Sequence, residues 1–225
     1  PGTCREKCRS VMAGRFITLE GVEGAGKTTQ IRLAAEFLQG LGHAVVVTQE
    51  PGGTPLGERI REILLNRGGF DISGEAEMFL FAAARAQHTD TVIRPALEAG
   101  KIVLCDRFSD ATIAYQAYGR GLPLETVREI CRLASRGLSP HLTLLFDLPV
   151  EEGLGRAMRR IAGREGNRRE DRFERETLDF HRRIREGYLA IARQEPGRVR
   201  VLDASKGIEP TRQEVRAILS SFLGV

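Results

Sequence analysis

A chain of 225 residues, 41% hydrophobic and 28% charged, can bury one good core, or one core that carries a small mobile insertion. Its longest apolar runs are strand-sized, well short of the roughly 18 residues that read as a membrane span, so a soluble protein is expected. The formal net charge of +4 is concentrated: residues 156–186 hold eleven arginines against seven acids, while the N-terminal tail adds +2 and the remainder is slightly acidic. Such a cluster could bind nucleic acid, close over a bound polyphosphate, or solvate a helix face.

The hydrophobic pattern alternates strand and helix. Phe16 to Glu20 reads as a first strand and Lys27 to Leu38 as a helix ended by Gly40 and Gly42. The β-branched run Ala44 to Thr48 is a second strand. Glu50-Pro51-Gly52-Gly53-Thr54-Pro55 is a turn-rich loop leading to a short helix, Leu56 to Leu65. A longer helical segment spans Glu75 to Glu98, with a bend expected before Pro95. Lys101 to Cys105 is a continuous apolar strand, followed by helices at Ser109 to Ala117 and Leu124 to Arg136. Leu142 to Phe146 is a fourth strand, Val150 to Arg160 a helix, and Ile161 to Asp171 an excursion rich in glycine and arginine. The pattern closes with a long helix from Phe173 to Gln194, a strand from Arg198 to Leu202 and a helix from Pro210 to Leu223. Five strands crossed by helices imply an α/β fold, a parallel sheet with helices on both faces, and ligands at the carboxyl ends of its strands.

Of the four cysteines, Cys105 and Cys131 fall in the expected core. Cys4 and Cys8 lie in the tail without the second pair that a structural zinc site needs. Free thiols and a cytoplasmic location are therefore expected. The tail lacks a long apolar run and does not read as a secretory signal; residues 1–11 are expected to be a disordered or upstream extension, and 12–225 a single domain.

The chemistry centres on Gly21-Val22-Glu23-Gly24-Ala25-Gly26-Lys27-Thr28, between the first strand and the first helix, which fits the phosphate-loop pattern G-x-x-x-x-G-K-[ST]. Glycines let backbone N–H groups turn inward around a phosphate while the following helix points its positive end at the same spot. Lys27 would reach the outer phosphates, and Thr28 would ligate Mg²⁺. A second constellation, Asp106-Arg107-Phe108, stands at the end of the third strand. Asp106 there can orient Mg²⁺ or its water shell. Many P-loop machines that hydrolyse ATP have a second acid next, but here Arg107 follows, which suits holding a second anion and favours transfer to a phosphorylated acceptor. The competing reading is a buried Asp–Arg pair that holds the loop. Because the phosphate loop contains Glu23 and no basic residue before Lys27, charge on the transferred phosphoryl group must be neutralised partly from elsewhere. The excursion supplies candidates in Arg156, Arg160, Arg164, Arg168, Arg169 and Arg172.

Together Phe16 to Thr29, Glu50-Pro-Gly-Gly-Thr54, Phe81-x-x-x-Arg85, Asp106-Arg-Phe108 with Ala114-Tyr-Gln116, and Asp171-Arg-Phe-Glu174 resemble bacterial thymidylate kinase over residues 12 to 223. The resemblance is to the subtype that supplies its catalytic cation from a lid, about 156–172 in this chain. It implies a P-loop kinase architecture and the reaction of ATP with dTMP to give ADP and dTDP, with Mg²⁺, in a cytoplasmic homodimer with no nucleic-acid or membrane partner. Carried over, Gly21, Glu23, Gly24, Ala25, Gly26, Lys27, Thr28 and Thr29 would bind ATP, with Thr28 and Asp106 at the metal. Glu23 would contact the deoxyribose hydroxyl, Glu50 would shape the acceptor site, and Arg61 and Arg107 would grip the acceptor phosphate. Phe81 would stack on thymine, and Arg85, four residues on, would donate to its O4; Thr112 and Gln116 would meet the other polar edge and Tyr115 the deoxyribose. Lys27, Asp106, Arg107 and Arg160 form the catalytic set, with Arg156, Arg159 and Arg164 as rivals to Arg160. One departure is Gln49, where the family usually has arginine. Other open readings are a kinase for a different nucleoside monophosphate and a P-loop ATPase or switch that contacts nucleic acid through its arginines.

Overall fold

The computed structural model describes residues 14–65, 71–162 and 172–225. The tail 1–11 with Cys4 and Cys8, and Arg164, Arg168, Arg169 and Asp171, lie outside the described residues. Five strands, β1 (Arg15–Gly21), β2 (Val45–Gln49), β3 (Ile102–Asp106), β4 (Leu142–Asp147) and β5 (Val199–Asp203), form one sheet in the order β2-β3-β1-β4-β5. Every neighbouring pair is parallel.

The central strands are buried along nearly their whole length because both of their faces are covered. Ile17 and Leu19 of β1 join Ile102 and Leu104 of β3 and Leu144 of β4 in the main core, with Leu38, Leu202 and Leu219. On the other face, Phe16 meets Val103, Cys105, Ile93 and Phe108. Each of these side chains is at most 4% exposed, and full burial of such a side chain stabilises by about 1.5–3 kcal/mol. Cys105 and Cys131 are free, buried thiols, as expected.

The helices are α1 (Lys27–Gly40), α2 (Pro55–Leu65), α3 (Gly74–His88), α4 (Arg94–Glu98), α5 (Ser109–Thr112), α6 (Leu124–Ala134), α7 (Val150–Ala162), α8 (Leu178–Gln194) and α9 (Ile208–Leu223). Two of them are not what periodicity predicts. The long segment ending at Glu98 passes through a π-helical turn, Thr89–Ile93, just ahead of Pro95. The helix beginning at Ser109 is α-helical for one turn and then π-helical over Ile113–Gly119, the turn that carries Tyr115 and Gln116. Such turns cluster at functional sites.

The last long helix begins at Leu178, not at Phe173. Thr177 has extended backbone (φ −63°, ψ 154°) and accepts the Phe180 N–H at 3.3 Å, so it caps the helix and leaves residues 172–176 outside it. Phe173 is thereby released to pack edge-on against Tyr115, ring centroids 5.5 Å apart.

Register sets the site. Leu19 pairs with Asp106 and Asp106 with Gln49, so the carboxyl ends of β1, β3 and β2 lie side by side. The chain leaves β1 toward β2 but leaves β3 toward β4 on the opposite side of β1. A crevice opens at that switch point, where parallel α/β sheets bind ligands.

Candidate active site

The phosphate loop is shaped by close backbone contacts. Gly24 has φ 70°, and a Cβ there would stand 2.1 Å from the Gly153 carbonyl oxygen in the first turn of α7; Gly21, at φ 140°, would meet Phe146 O at 2.4 Å. Only glycine fits at either position. Gly26 (φ 86°) precedes α1, whose first turn has neither a capping side chain nor an acid, so its positive end is left for an anion. Ala25 is buried in the loop, and Thr29 N donates to Gly26 O at 3.1 Å.

Lys27 curls back over this loop, donating to Gly21 O at 3.0 Å and Val22 O at 2.9 Å. Burial and the charge of Arg107 outweigh Asp106, Glu23 and Glu20, and lower its pKa from 10.5 to about 8. Thr28 Oγ1 donates to Asp106 Oδ2 at 3.4 Å. A hydroxyl beside a carboxylate, both oxygen donors, suits Mg²⁺ completed by phosphate oxygens and water. Among the described residues no group of three or more His, Cys, Asp or Glu side chains is placed to hold a metal unaided.

A cavity of about 310 Å³ opens beside the loop, lined by Glu23, Lys27, Thr28, Glu50, Arg61, Phe81, Arg85, Asp106, Arg107, Thr112, Tyr115, Gln116 and Arg160. Gln49, the departure from the family pattern, lines it too. The sequence-predicted residues of loop, strand end and helices thus meet in one place.

Its floor is held by paired charges. Arg85, 1% exposed, donates from Nε to Glu50 Oε2 at 2.8 Å, from one terminal nitrogen to Phe108 O and Thr112 Oγ1 at 3.0 Å each, and from the other to Cys131 Sγ at 3.6 Å. Burial would lower its pKa, but Glu50 and Cys131 reverse the effect and raise it. The second Glu50 oxygen lies 3.0 Å from His88 Nδ1, and Thr48 Oγ1 meets His88 Nε2 at 2.6 Å. Arg61 donates to Pro51 O at 3.0 Å. Phe81 stands over the floor, tilted against Phe173 at 6.2 Å.

Arg107 adopts the left-handed conformation at φ 70°, a strain of about 1–3 kcal/mol for a non-glycine residue that marks functional loops. It donates to Glu23 Oε1 at 3.2 Å and to the Tyr188 hydroxyl at 2.9 Å. The reading of a buried Asp106–Arg107 pair is therefore replaced by an Arg107–Glu23 pair. Tyr115 also donates to Glu23 Oε1, and His181 Nδ1 stands 3.3 Å from Glu23 Oε2. Burial alone would raise the Glu23 pKa, but His181, Arg107 and Lys27 together hold it well below the carboxylate range.

Of the rival arginines, Arg160 lines the cavity and approaches Glu174 Oε1 at 3.4 Å. Arg156 turns to Glu152 and Ala204 O, and Arg159 to its own helix at Gly155 O. Arg172, expected among the mobile cations, is anchored to Glu77 and Leu64 O. Arg164 lies outside the described residues.

Several participants were given no role by the sequence reading, although Glu20 and Phe173 lie within motifs that it singled out. Glu20 accepts from Phe108 N at 2.7 Å and Tyr188 OH at 2.9 Å, holding the Arg107 loop; burial and the nearby Asp110 raise its pKa to about 8. Glu77, His88, Phe173, His181 and Tyr188 are the others, and Gly153 supports the phosphate loop. A GxG motif or a helical period does not single out such residues; only a buried acid in an otherwise apolar strand, as at Glu20, carries a signal.

The thymidylate kinase family model matches residues 19–215. The chain belongs to the thymidylate kinase family. It is 56% identical over 200 residues to a thymidylate kinase of Syntrophus aciditrophicus (strain SB), covering 89% of this chain and 91% of that protein. It is 52% identical over 210 residues to one of Geotalea uraniireducens (strain Rf4), covering 93% and 98%. The crystal structure of thymidylate kinase from Ehrlichia chaffeensis superposes with a TM-score of 0.71 at 34% identity, covering 92% of this chain and 99% of that one. Membership makes the chain an ATP-dependent nucleoside monophosphate kinase, and disfavours a switch or nucleic-acid-binding ATPase. No helix among the described residues is long and apolar enough to cross a membrane.

Proposed function

We propose that this protein transfers the terminal phosphoryl group of ATP to a phosphate oxygen of dTMP, giving ADP and dTDP, as the cytoplasmic, homodimeric enzyme that the family resemblance implies. The observation that carries this reading is one continuous cavity lined both by Lys27 and Thr28 of the phosphate loop and by Phe81, Arg85 and Gln116.

On the donor side, Lys27 binds the outer phosphates, and the uncapped start of α1 meets the remaining negative charge. Thr28 and Asp106 would hold Mg²⁺, which would supply neutralisation of the phosphate oxygens. On the acceptor side, Arg107 and Arg61 grip the dTMP phosphate, Glu23 and Tyr115 face the deoxyribose, and Phe81 stacks on the base. Arg85 addresses O4, with Thr112 bonded to its guanidinium. The acceptor oxygen is already anionic, so positioning and charge stabilisation suffice without a strong base. Arg160, at the cavity mouth, is the cation for the phosphoryl group in flight, within the lid read at about 156–172. The catalytic unit is read as residues 12–225, and removing residues 1–11 is expected to leave kcat and KM unchanged.

The direct test is ADP release from Mg·ATP with dTMP, dUMP, UMP, CMP, AMP or GMP, and with no acceptor. Strong dTMP-dependent turnover, weaker dUMP turnover and a silent blank are expected. Equal ADP release with and without acceptor would remove the transferase assignment.

A further inference from the structure

Glu77 lies on α3, is wholly buried, and belongs to none of the roles assigned above. One of its oxygens, Oε1, accepts from Gln116 Nε2 at 2.8 Å and Arg120 Nε at 3.1 Å. The other accepts from an Arg120 terminal nitrogen at 3.1 Å and from Arg172. Two guanidiniums and an amide thus converge on one carboxylate. Gln116 is also fully buried and lines the acceptor cavity, and its Oε1 has no hydrogen-bond partner among the described residues.

An amide has one donor end and one acceptor end, and which faces which way is decided by its partners. A carboxylate clamped by two arginines offers Gln116 only acceptor oxygens, so the amide NH₂ is committed to Glu77. Its carbonyl oxygen is then left on the cavity side. A buried acceptor without a partner asks for a donor from the ligand, because leaving it unpaired carries the full desolvation cost. Thymine and uracil present an N–H at ring position 3; cytosine presents a bare nitrogen there, lone pair against lone pair.

We propose that Glu77 is a specificity-determining positioning residue: it fixes the Gln116 amide with its oxygen toward the base, and so makes the pocket require a ring N–H. This rests on the reading that the cavity takes dTMP. It deepens that reading by assigning the choice of base to a residue that does not touch it. Arg85 and Glu77 then divide the task, the first addressing the keto oxygen and the second, through Gln116, the ring nitrogen.

The test compares kcat and KM for dTMP and dCMP in the full-length protein and in the variants Glu77→Gln, Gln116→Ala and the double variant. In Glu77→Gln, the arginines claim the new carbonyl oxygen, the new NH₂ faces Gln116, and the Gln116 amide turns over. KM for dTMP is expected to rise about tenfold to a hundredfold with kcat within about threefold, and the dTMP-to-dCMP preference to fall by at least as much. In the Gln116→Ala background, adding Glu77→Gln should change that preference less than about twofold, since the route through Gln116 is already gone. An unchanged preference in Glu77→Gln, or effects that multiply in the double variant, would overturn the proposal and leave Glu77 a packing residue. If Glu77→Gln does not fold, the unaltered protein decides: the N3-methyl analogue of dTMP, which keeps both keto oxygens and has no ring N–H, should show KM raised about tenfold or more, and an equal KM would overturn the assignment. Absence of dTMP turnover in the unaltered protein would remove the kinase reading and this one with it. A normal turnover with an unaltered preference in the variants would remove this one alone.

Discussion

At the floor of the cavity, the Arg85 and Glu50 side chains are 1% and 4% exposed and nearly every polar group already has a protein partner. At its mouth, the Arg160 side chain is 49% exposed and, among the described residues, pairs with Glu174 at 3.4 Å. The side proposed to take the acceptor is therefore held by protein partners, while the cation proposed for the reaction stands half in solvent. The contrast follows from what each must do. Choosing a base needs groups locked in orientation, because an amide or guanidinium free to turn would accept either edge. Stabilising a charge that exists only during transfer needs a cation that meets it then, and a fully buried, prepaired arginine could not leave its partner without cost.

The strongest way to break this contrast is at the floor. Arg85→Ala leaves Glu50 buried without its guanidinium, which is expected to destabilise the fold by about 3–5 kcal/mol, read as a lower urea midpoint; an unchanged midpoint would show that the floor is not held by this pair. At the mouth the effect should be kinetic. Arg160→Ala is expected to lower kcat about 100-fold to 1,000-fold with KM for dTMP and the urea midpoint nearly unchanged, and unaltered turnover would move the cation role to a neighbour.

A pH profile sharpens the donor side. The Lys27 pKa is lowered to about 8, against 10.5 for an ordinary lysine. The charged form, the one proposed to bind polyphosphate, is therefore present below about pH 8 and lost above it. Because the unfolded chain holds this proton up to the ordinary value, deprotonation between 8 and 10.5 relieves the cost of burying the charge and does not by itself unfold the protein. We expect kcat/KM for ATP to be level below pH 8 and to fall above it, while kcat falls less because bound phosphate restores the charge. A profile flat to pH 9.5 would contradict the assignment. The smallest effect belongs to the outer surface: Arg32→Ala removes the exposed pair with Glu36 on α1 and should leave Tm and turnover unchanged.

How much of this was legible depended on whether a residue belongs to a local pattern. The phosphate loop, the strand ends at Asp106 and Gln49, and the spacing of Phe81 with Arg85 are short-range features, and the structure brings them together. Glu77, His181 and Tyr188 are single positions on amphipathic helices, and their partners are 39, 158 and 168 residues away in sequence. No local window contains both members of such a pair. The π-helical turns escaped for a related reason: over one turn, the apolar pattern of Ile113–Gly119 fits either helical period. The start of α8 was misjudged because the apolar Phe173 fits a helical stripe, whereas Thr177 ends that stripe by capping.

The account turns on an acceptor site that stands ready without the donor. Isothermal titration of the full-length protein with dTMP, with no ATP present, tests it most directly. Saturable one-to-one binding, with dCMP at least tenfold weaker, is the predicted result. No binding until an ATP analogue is added, or equal affinity for dTMP and dCMP, would contradict it.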